Sequence, residues 1–166
     1  MYNNLILSLG SNIKPRRENL IKTIKELNQI FHFNNISSLY LTEPLDDINQ
    51  DFFLNLVVSY NTGIKDPCKI LKIIKDIEKK IGREKDINRP KGPRKIDIDI
   101  IFFGNIEFFS DDLIIPHRGL FQRKFVLSPL IEILPEDSIY LSKYDLKNHL
   151  KKVEKQSIKK IGVLKI

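Results

Sequence analysis

Two aspartates, Asp97 and Asp99, interrupt a hydrophobic stretch of the sequence, GPRKIDIDIIFFG at residues 92–104. Side chains of a β-strand alternate between its two faces, so both carboxylates and Ile101 are expected on the same face. A strand rises about 3.3 Å per residue, which places the two aspartate Cα atoms about 6.5 to 7 Å apart. Carboxylates at this spacing are able to bind one cation or a pair of cations, although Asp-x-Asp alone is more often the acidic face of a half-solvated strand.

The residues directly before this strand favour the chemical interpretation. Gly92 and Pro93 are typical of a tight turn, and Arg94 adds a guanidinium, the group best suited to bidentate phosphate contacts. Two carboxylates and an arginine together indicate a site for metal-bound phosphate.

The length and composition favour one compact domain over residues 1–166, with 42% hydrophobic residues to form its core. No run of eighteen apolar residues occurs, and the first residues show neither a basic leader nor a cleavage site, so we expect a cytoplasmic protein without a membrane partner. The single cysteine, Cys68, has no Cys or His neighbours at metal-binding spacing, which argues against a structural zinc site.

The formal net charge of +7 and the pI of about 9.4 are compatible with a nucleic-acid surface or with an anionic substrate. The chain has no alanine or tryptophan and is rich in Ile, Lys and Asn, which indicates a coding bias and weakens the charge argument. The lysine-rich residues 147–160 are therefore expected to form the charged face of a helix.

Hydrophobic periodicity predicts alternating strands and helices. The predicted elements are a strand at 4–9, a turn at 10–12, a helix from Pro15 with an apolar stripe at Leu20, Ile24, Leu27 and Phe31, strands at 36–42 and 52–62, a helix capped by Asp66, opened by Pro67 and ended by Gly82, an exposed mobile loop at 82–95, the aspartate strand, a short helix at 129–134 and a C-terminal helix near 143–155. This order is the split βαβ arrangement of ferredoxin-like α+β proteins, with helices against one face of a largely antiparallel sheet.

Several motifs carry a resemblance that the fold order alone does not. They are LGSN at 9–12, YLTEPL at 40–45, FLN at 53–55, EKKIGR at 78–83, GPRKIDIDI at 92–100, FG at 103–104, PH at 116–117 and RKFVLSPL at 123–130. In this order they resemble the 6-hydroxymethyl-7,8-dihydropterin pyrophosphokinase family, from about residue 5 to about residue 135. The block of Gly-Pro-Arg and Asp-x-Asp, followed later by Pro-His, is the most specific part of the resemblance.

The resemblance implies Mg²⁺-dependent transfer of the β,γ-pyrophosphoryl group of ATP to the hydroxymethyl oxygen of a reduced pterin, with release of AMP. By the same resemblance, Asp97 and Asp99 hold two Mg²⁺ ions that bridge the triphosphate. The catalytic residues would be Arg83, Arg94 and Asp97, and Asp97 is also the candidate acceptor for the hydroxyl proton.

The positions that match the family's ATP-binding residues are Glu78, Arg83, Arg94, His117 and Arg123. Each has a simpler interpretation: Arg83 follows a helix-ending glycine, where a cation is favourable, and His117 is compatible with a structural imidazole. The aspartates nearby in the motif order favour the phosphate role.

The positions that match the family's pterin-binding residues are Thr42, Leu45, Phe53, Asn55 and Phe125. A flat heterocycle needs aromatic faces and a hydrogen-bonding edge, which the two phenylalanines and the Asn55 amide would supply. Core packing also explains the phenylalanines, but an asparagine inside an apolar strand needs buried partners.

The chain departs from the family pattern at three positions. Lys91 replaces an aromatic residue before Gly-Pro-Arg, Glu43 stands where proline is common, and Arg118 follows Pro-His with no assigned contact. We expect the loop at 82–95 to close over bound ATP and exclude water from the reaction.

Two other functions are compatible with parts of the sequence. An RNA-binding module shares the split βαβ order, but the strand that would carry stacking aromatics carries aspartates, which repel phosphate without a metal. A catalytically inactive interaction domain is the third possibility, since Lys91 and Glu43 depart from the family. We expect a monomer that binds ATP and 6-hydroxymethyl-7,8-dihydropterin and no nucleic acid.

Overall fold

The main antiparallel sheet of the fold lies between two groups of helices, one on each face. A computed structural model describes residues 3–45, 49–83 and 92–166. In chain order, the elements are β1 (Asn3–Ser11), α1 (Arg16–Asn28), β2 (His32–Ile36), β3 (Leu39–Thr42), β4 (Phe53–Thr62), α2 (Pro67–Ile81), β5 (Asp97–Phe103), β6 (Phe108–Phe109), β7 (Ile114–Ile115), a 3₁₀ turn (Leu120–Gln122), α3 (Lys124–Ile133), α4 (Ile139–Lys143), α5 (Leu146–Lys152) and β8 (Ile158–Gly162).

The main sheet has the strand order β5-β1-β4-β3-β8, with β2 pairing beside β3 on β4, and all its pairs are antiparallel. Strands β6 and β7 form a separate two-stranded sheet. Helices α1 and α2 connect the strands of the main sheet in the split βαβ pattern. The predicted α+β, ferredoxin-like fold is therefore confirmed.

Helix α2 has the ends that the sequence predicts. The Asp66 side chain accepts a hydrogen bond from the backbone N–H of Cys68, and Pro67 takes the first helical position. Gly82 ends the helix with φ 93°, in the left-handed region that glycine adopts without strain. Helices α1 and α2 bury their apolar stripes against one face of the sheet, which we call the first face.

Helices also cover part of the second face, so the expectation of helices on one face alone is wrong. The apolar residues Ile6, Val57 and Ile101 lie on this face and need burial from water. Helices α3, α4 and α5 supply it, with α3 contributing Leu127 and Leu130. The sheet consequently separates two hydrophobic cores.

Two predicted boundaries near the start of the chain are wrong. The turn predicted at 10–12 is strand up to Ser11, because β1 continues pairing with β4 as far as that residue. The strand predicted at 36–42 is interrupted at Ser37 and Ser38, where side chains replace ladder bonds: Ser37 Oγ accepts from the N–H of Val57, at 2.9 Å.

The C-terminal prediction fails more extensively. Helix α3 begins at Lys124 instead of 129 and holds Pro129 in its interior. The helix predicted near 143–155 is two short helices, α4 and α5, and residues 158–162 form the edge strand β8 beside β3. Within the described ranges, no helix is both long and apolar enough to cross a membrane.

Candidate active site

The second face of the sheet is open at one end, beyond the part that α3, α4 and α5 cover. Strand register places Asn55, Gly10 and Asp97 side by side on β4, β1 and β5. Ser8 lies opposite Asp99 in the same way. Since Gly10 has no side chain, the floor between the Asn55 amide and the Asp97 carboxylate stays open.

A cleft lies over this floor, which we call the first cleft. All the predicted pterin-binding residues line it, as do both aspartates and two of the predicted cations: Thr42, Leu45, Phe53, Asn55, Phe125, Asp97, Asp99, Arg94 and Arg123. The alternation predicted for β5 is confirmed, because Ile98 and Ile100 belong to the first-face core and Ile101 to the second. The two carboxylates therefore share the open face.

The Asn55 amide is buried, with 4% of its residue surface exposed, and donates to Thr42 Oγ1 at 2.7 Å. This bond answers the need for a buried partner and fixes the orientation of the amide. The guanidinium of Arg94 lies 5.3 Å from the centre of the Phe53 ring. Leu45, by contrast, is 47% exposed at the rim of the cleft.

Two arginines hold the Asp97 carboxylate. Arg83 Nη1 lies 2.8 Å from Asp97 Oδ1, and Arg94 Nε lies 3.1 Å from Asp97 Oδ2. The Arg94 backbone is fixed in turn, because its N–H donates to Asn12 Oδ1 at 2.7 Å. Although burial lowers the pKa of Arg83, the charges of Asp97 and Glu78 outweigh it and raise the pKa, so Arg83 remains a cation.

Glu78 does not line the first cleft, although the sequence predicts an ATP-binding role for it. It projects inward from the last turn of α2 and is only 2% exposed. Its carboxylate accepts from the backbone N–H of Ile98 at 2.8 Å, from Lys75 at 3.0 Å and from Arg83. Glu78 therefore links α2 to the aspartate strand. It also positions Arg83, which in turn forms an ion pair with Asp97.

Asp99 lies next to a second pair of basic side chains. His117 Nε2 is 3.6 Å from Asp99 Oδ1, and Arg123 Nη1 is 3.7 Å from Asp99 Oδ2. Burial, and then the charge of Asp97, raises the pKa of the Asp99 carboxyl. The anionic form of Asp99 is therefore destabilised beside the Asp97 carboxylate. A cation that approaches this pair of carboxylates is favoured, because it offsets their repulsion.

His117 is neutral in this arrangement. Burial, and then the charge of Arg123, lowers the pKa of His117 to about 4. The backbone N–H of Gly119 donates to His117 Nδ1 at 3.1 Å, which leaves the ring proton on Nε2. His117 thus presents an N–H donor on the side that faces Asp99.

A second cleft lies on the other side of Asp99, which lines both clefts. Its walls are partly apolar, from Leu71, Ile98 and Leu113, and partly charged. The charged lining residues are Lys75, Asp99, Asp111, Asp112 and Arg118, and the neutral His117 lies among them. The two clefts therefore meet at one carboxylate.

The donor set suits magnesium. Among the described residues, no group of three or more His, Cys, Asp or Glu side chains is placed to hold a metal ion. Asp97 and Asp99 present hard oxygen ligands at a solvent-accessible cleft, and Mg²⁺ keeps several waters or phosphate oxygens while binding few carboxylates. A zinc or iron site would need more ligands than this part of the chain brings together.

Sequence reasoning missed some of the lining residues. Ser8 and Gly10 line the first cleft. Gly10 belongs to the LGSN motif, whose glycine the sequence interpretation placed in a turn, whereas Ser8 lies just before the motif and had no signal of its own. Glu43, left open by the sequence, also lines the first cleft, and Arg118 lines the second. Lys91 and most of the predicted mobile loop fall at residues 84–91, outside the described residues.

Comparison with known proteins identifies the family of this chain. The family model for 7,8-dihydro-6-hydroxymethylpterin-pyrophosphokinase (HPPK) matches residues 6–135. The pyrophosphokinase of Bacillus subtilis is 35% identical over 135 residues, which are 80% of this chain and 79% of that protein. The bifunctional protein FolKE of Lactococcus lactis subsp. cremoris is 39% identical over 136 residues, 81% of this chain but 38% of that protein.

Solved structures share the fold. Wild-type HPPK-DHPS of Plasmodium falciparum with pteroate aligns with a TM-score of 0.67 and 18% identity, over 92% of this chain and 42% of that chain. Several curated relatives are bifunctional, and this chain spans between 23% and 38% of their length, with 28% for the Arabidopsis thaliana folate synthesis bifunctional protein. Because the family model covers most of the sequence, the chain belongs to the 7,8-dihydro-6-hydroxymethylpterin-pyrophosphokinase family.

Proposed function

We propose that this chain transfers the β,γ-pyrophosphoryl group of ATP to the hydroxymethyl oxygen of 6-hydroxymethyl-7,8-dihydropterin, giving the pterin diphosphate and AMP for folate biosynthesis. The observation that carries the proposal is the position of Asp99 between two clefts, of which the first contains every predicted pterin-binding residue. Two substrates bound in these clefts would meet at the aspartates.

The first cleft suits the pterin. Phe53 and Phe125 offer aromatic surface to a flat ring, and the Asn55 amide, oriented by Thr42, offers polar atoms to its edge. The open floor at Gly10 gives the heterocycle room between Asn55 and Asp97.

The second cleft suits the nucleoside part of ATP. Its aliphatic wall, with Leu71 and Ile98, accommodates a purine, and Lys75 and Arg118 are cations at its lining. The triphosphate would then extend past Asp99 towards Arg123 and the first cleft. The Nε2–H of neutral His117 is a donor for a phosphate oxygen on this path.

Asp97 and Asp99 would hold two Mg²⁺ ions, whose chemistry is to neutralise the triphosphate and orient its β-phosphorus. In the transfer, a bond forms between the pterin hydroxymethyl oxygen and the β-phosphorus, and the bond from the β-phosphorus to the bridging oxygen of AMP breaks. Arg83 and Arg94 would stabilise the negative charge that develops on the phosphoryl oxygens. Asp97 is the candidate acceptor for the hydroxyl proton.

Glu78 contributes through Arg83 in this proposal. Its carboxylate is fully engaged by Lys75, Arg83 and the N–H of Ile98, and this supports a positioning role instead of direct nucleotide binding. An RNA-binding function has less support, because the open sheet face presents carboxylates at Asp97 and Asp99. We also expect the protein to act in the cytoplasm as a monomer.

The test is AMP release from ATP and Mg²⁺, measured with and without 6-hydroxymethyl-7,8-dihydropterin, with the pterin product identified by mass. We expect pterin-dependent AMP and a pterin whose mass increases by one diphosphate group. Folded protein that releases no AMP, or that releases AMP equally without the pterin, would contradict the proposal. The second result would indicate hydrolysis with water as the acceptor.

A further inference from the structure

The segment after α5 makes an unusual contact with the start of α3. The Gln156 side chain accepts from the backbone N–H of Lys124 through Oε1, at 2.8 Å. Through Nε2 it donates to the backbone carbonyl of Gln122, also at 2.8 Å. One amide therefore bridges the two residues on either side of Arg123.

The start of α3 needs an external partner. Arg123 is the N-cap residue, and its side chain makes no capping hydrogen bond. The first N–H groups of a helix have no acceptor inside the helix, so an uncapped start leaves a donor unsatisfied. Gln156 provides this acceptor from a distant part of the chain, while the Arg123 carbonyl accepts from the N–H groups of Val126 and Leu127 at 3.1 and 3.0 Å.

Gln156 is itself held in place on both sides. Its backbone N–H donates to the Val153 carbonyl at 3.0 Å, and Val153 packs against the second-face core. The Glu154 carbonyl accepts from Lys124 Nζ at 2.6 Å. Two residues after Gln156 the chain enters β8, which pairs with β3. The bridging amide is thus part of the folded body of the protein.

The bridged segment carries two side chains of the first cleft. The Arg123 guanidinium lies 3.7 Å from Asp99 at its Nη1 and 5.8 Å from the centre of the Phe125 ring at its central carbon. Both residues line the cleft, so a shift of their backbone changes the position of a cation and of an aromatic ring together. Displacements of about 1 Å in such groups are enough to lower rates about 100-fold.

We propose that Gln156 is a positioning residue of this chain: its amide fixes the backbone around Arg123 and thereby sets where the Arg123 guanidinium and the Phe125 ring stand. The residue lies beyond positions 6–135, the part that the family model matches, so this support comes from the chain's own C-terminal segment. Its effect on catalysis rests on the proposed pyrophosphoryl transfer, whereas its effect on the α3 start does not.

The test compares Gln156→Met, which keeps the side-chain length but removes both hydrogen bonds, with Gln156→Glu, which keeps an acceptor for Lys124 N–H but sets an oxygen against the Gln122 carbonyl. Gln29→Met is the matched control, because Gln29 is an exposed glutamine at the end of α1. Amide hydrogen exchange at residues 124–127 reports the clamp without any substrate. We expect faster exchange in Gln156→Met, an intermediate rate in Gln156→Glu and the wild-type rate in the control.

Kinetics separate positioning from general stability. At a temperature where every variant is folded, we expect Gln156→Met to lower kcat/KM by about 10- to 100-fold. In a background that carries both Arg123→Ala and Phe125→Ala, the same substitution should change kcat/KM by less than about twofold, because residues that act through one another are not additive. A full additional loss in that background, or unchanged exchange at Lys124, would overturn the proposal.

The two proposals fail in different ways. If the wild-type chain shows no pterin-dependent AMP release, the proposed function is wrong, and exchange at residues 124–127 alone decides whether Gln156 clamps the start of α3. If the wild-type chain is active and Gln156→Met is equally active, the function stands and the positioning role is wrong.

Discussion

Gly10 on β1 lies directly opposite Asn55 on β4, and a methyl group on Gly10 would lie 2.6 Å from the Asn55 amide oxygen. Carbon and oxygen atoms do not approach so closely without displacement of one of them. Because Asn55 is buried and donates to Thr42 at 2.7 Å, it cannot move without losing that bond. The missing side chain of Gly10 is therefore a condition for the orientation of the Asn55 amide.

Gly10→Ala should weaken pterin binding. The methyl group would displace the Asn55 amide from the first cleft, and a lost or misaligned hydrogen bond of this kind costs about 1 to 3 kcal/mol, or about 5- to 150-fold in Kd. Titration of the folded variant with the pterin measures the effect. Gly63→Ala is the control, since among the described residues, its two chain neighbours apart, no atom lies within 4 Å of the added methyl group. Equal pterin affinity in Gly10→Ala and wild type would contradict this prediction.

Asp97→Asn and Asp99→Asn should each lower kcat/KM by about 100-fold or more, because either change removes an oxygen anion from the proposed metal site. Chelation of Mg²⁺ should abolish AMP release by the wild-type chain. The kinetics are measured over a range of Mg²⁺ concentrations. Asp76→Asn, an exposed aspartate on α2, is the control and should keep wild-type activity. Near-normal Mg²⁺-dependent turnover in Asp97→Asn would show that Asp97 is not a ligand.

Glu132→Gln should destabilise the fold at neutral pH. The carboxylate accepts from the N–H and Oγ of Ser38, at 3.1 and 2.6 Å, from Tyr40 Oη at 2.7 Å and from Lys160 at 3.0 Å. Loss of this set should lower the free energy of unfolding by about 1 to 3 kcal/mol. Glu107→Gln, at an exposed ion pair with Lys143, should change it by less than about 1 kcal/mol.

The effect of Glu132→Gln should depend on pH. Burial raises the pKa of Glu132, but hydrogen bonds from Ser38, Tyr40 and Lys160 outweigh it, so the folded-state pKa is lower than the ordinary value of 4.5. The carboxylate thus contributes stability above pH 4.5, and this contribution is lost as the pH falls through the folded-state pKa. Denaturant unfolding at pH 7 and at successively lower pH should show the two proteins converging. A constant difference would argue against the charge as its source.

Tyr60→Phe should stabilise the fold. Tyr60 is fully buried beside Phe31 and Phe33, and its hydroxyl has no hydrogen-bond partner among the described residues. Removal of an unsatisfied buried hydroxyl should raise the free energy of unfolding by about 1 kcal/mol. Tyr140→Phe is the matched comparison with the opposite sign, because Tyr140 Oη donates to the Gly104 carbonyl at 2.8 Å. If both variants lose stability equally, the Tyr60 hydroxyl has a partner after all.

The features that the sequence predicted well are those with local causes. Both ends of α2 follow from Asp66, Pro67 and Gly82, whose effects on a helix act within a few residues. The shared face of Asp97 and Asp99 follows from the two-residue period of a strand. The ferredoxin-like order required only that these local elements be placed in the correct sequence along the chain.

The features that the sequence did not predict depend on distant partners. The break between β2 and β3 involves Ser38, which is bonded to Glu132 some 94 positions further along the chain. The lysines and isoleucines of strand β8 are compatible with either a helix or a strand, and its pairing with β3 decides between them. Gln156 likewise has no local signal, because its partners lie on the far side of α4 and α5.

The candidate site shows the same division. The motif positions identified Asn55 and the aspartates, but not Gly10 as the open floor between them, since that requires the register of three strands. The inward position of Glu78 was equally hidden, because it depends on how α2 lies against β5.

Because the two faces of the sheet contribute to different cores, alternate residues along a central strand have different roles. On β4, Leu54 and Leu56 face the first core, whereas Phe53 and Asn55 face the first cleft. A saturation library along this strand should therefore give two interleaved profiles, with abundance lost at one set of alternating positions and substrate selectivity altered at the other. Single substitutions at the cleft-facing positions can therefore alter substrate selectivity while the core packing of the strand is retained.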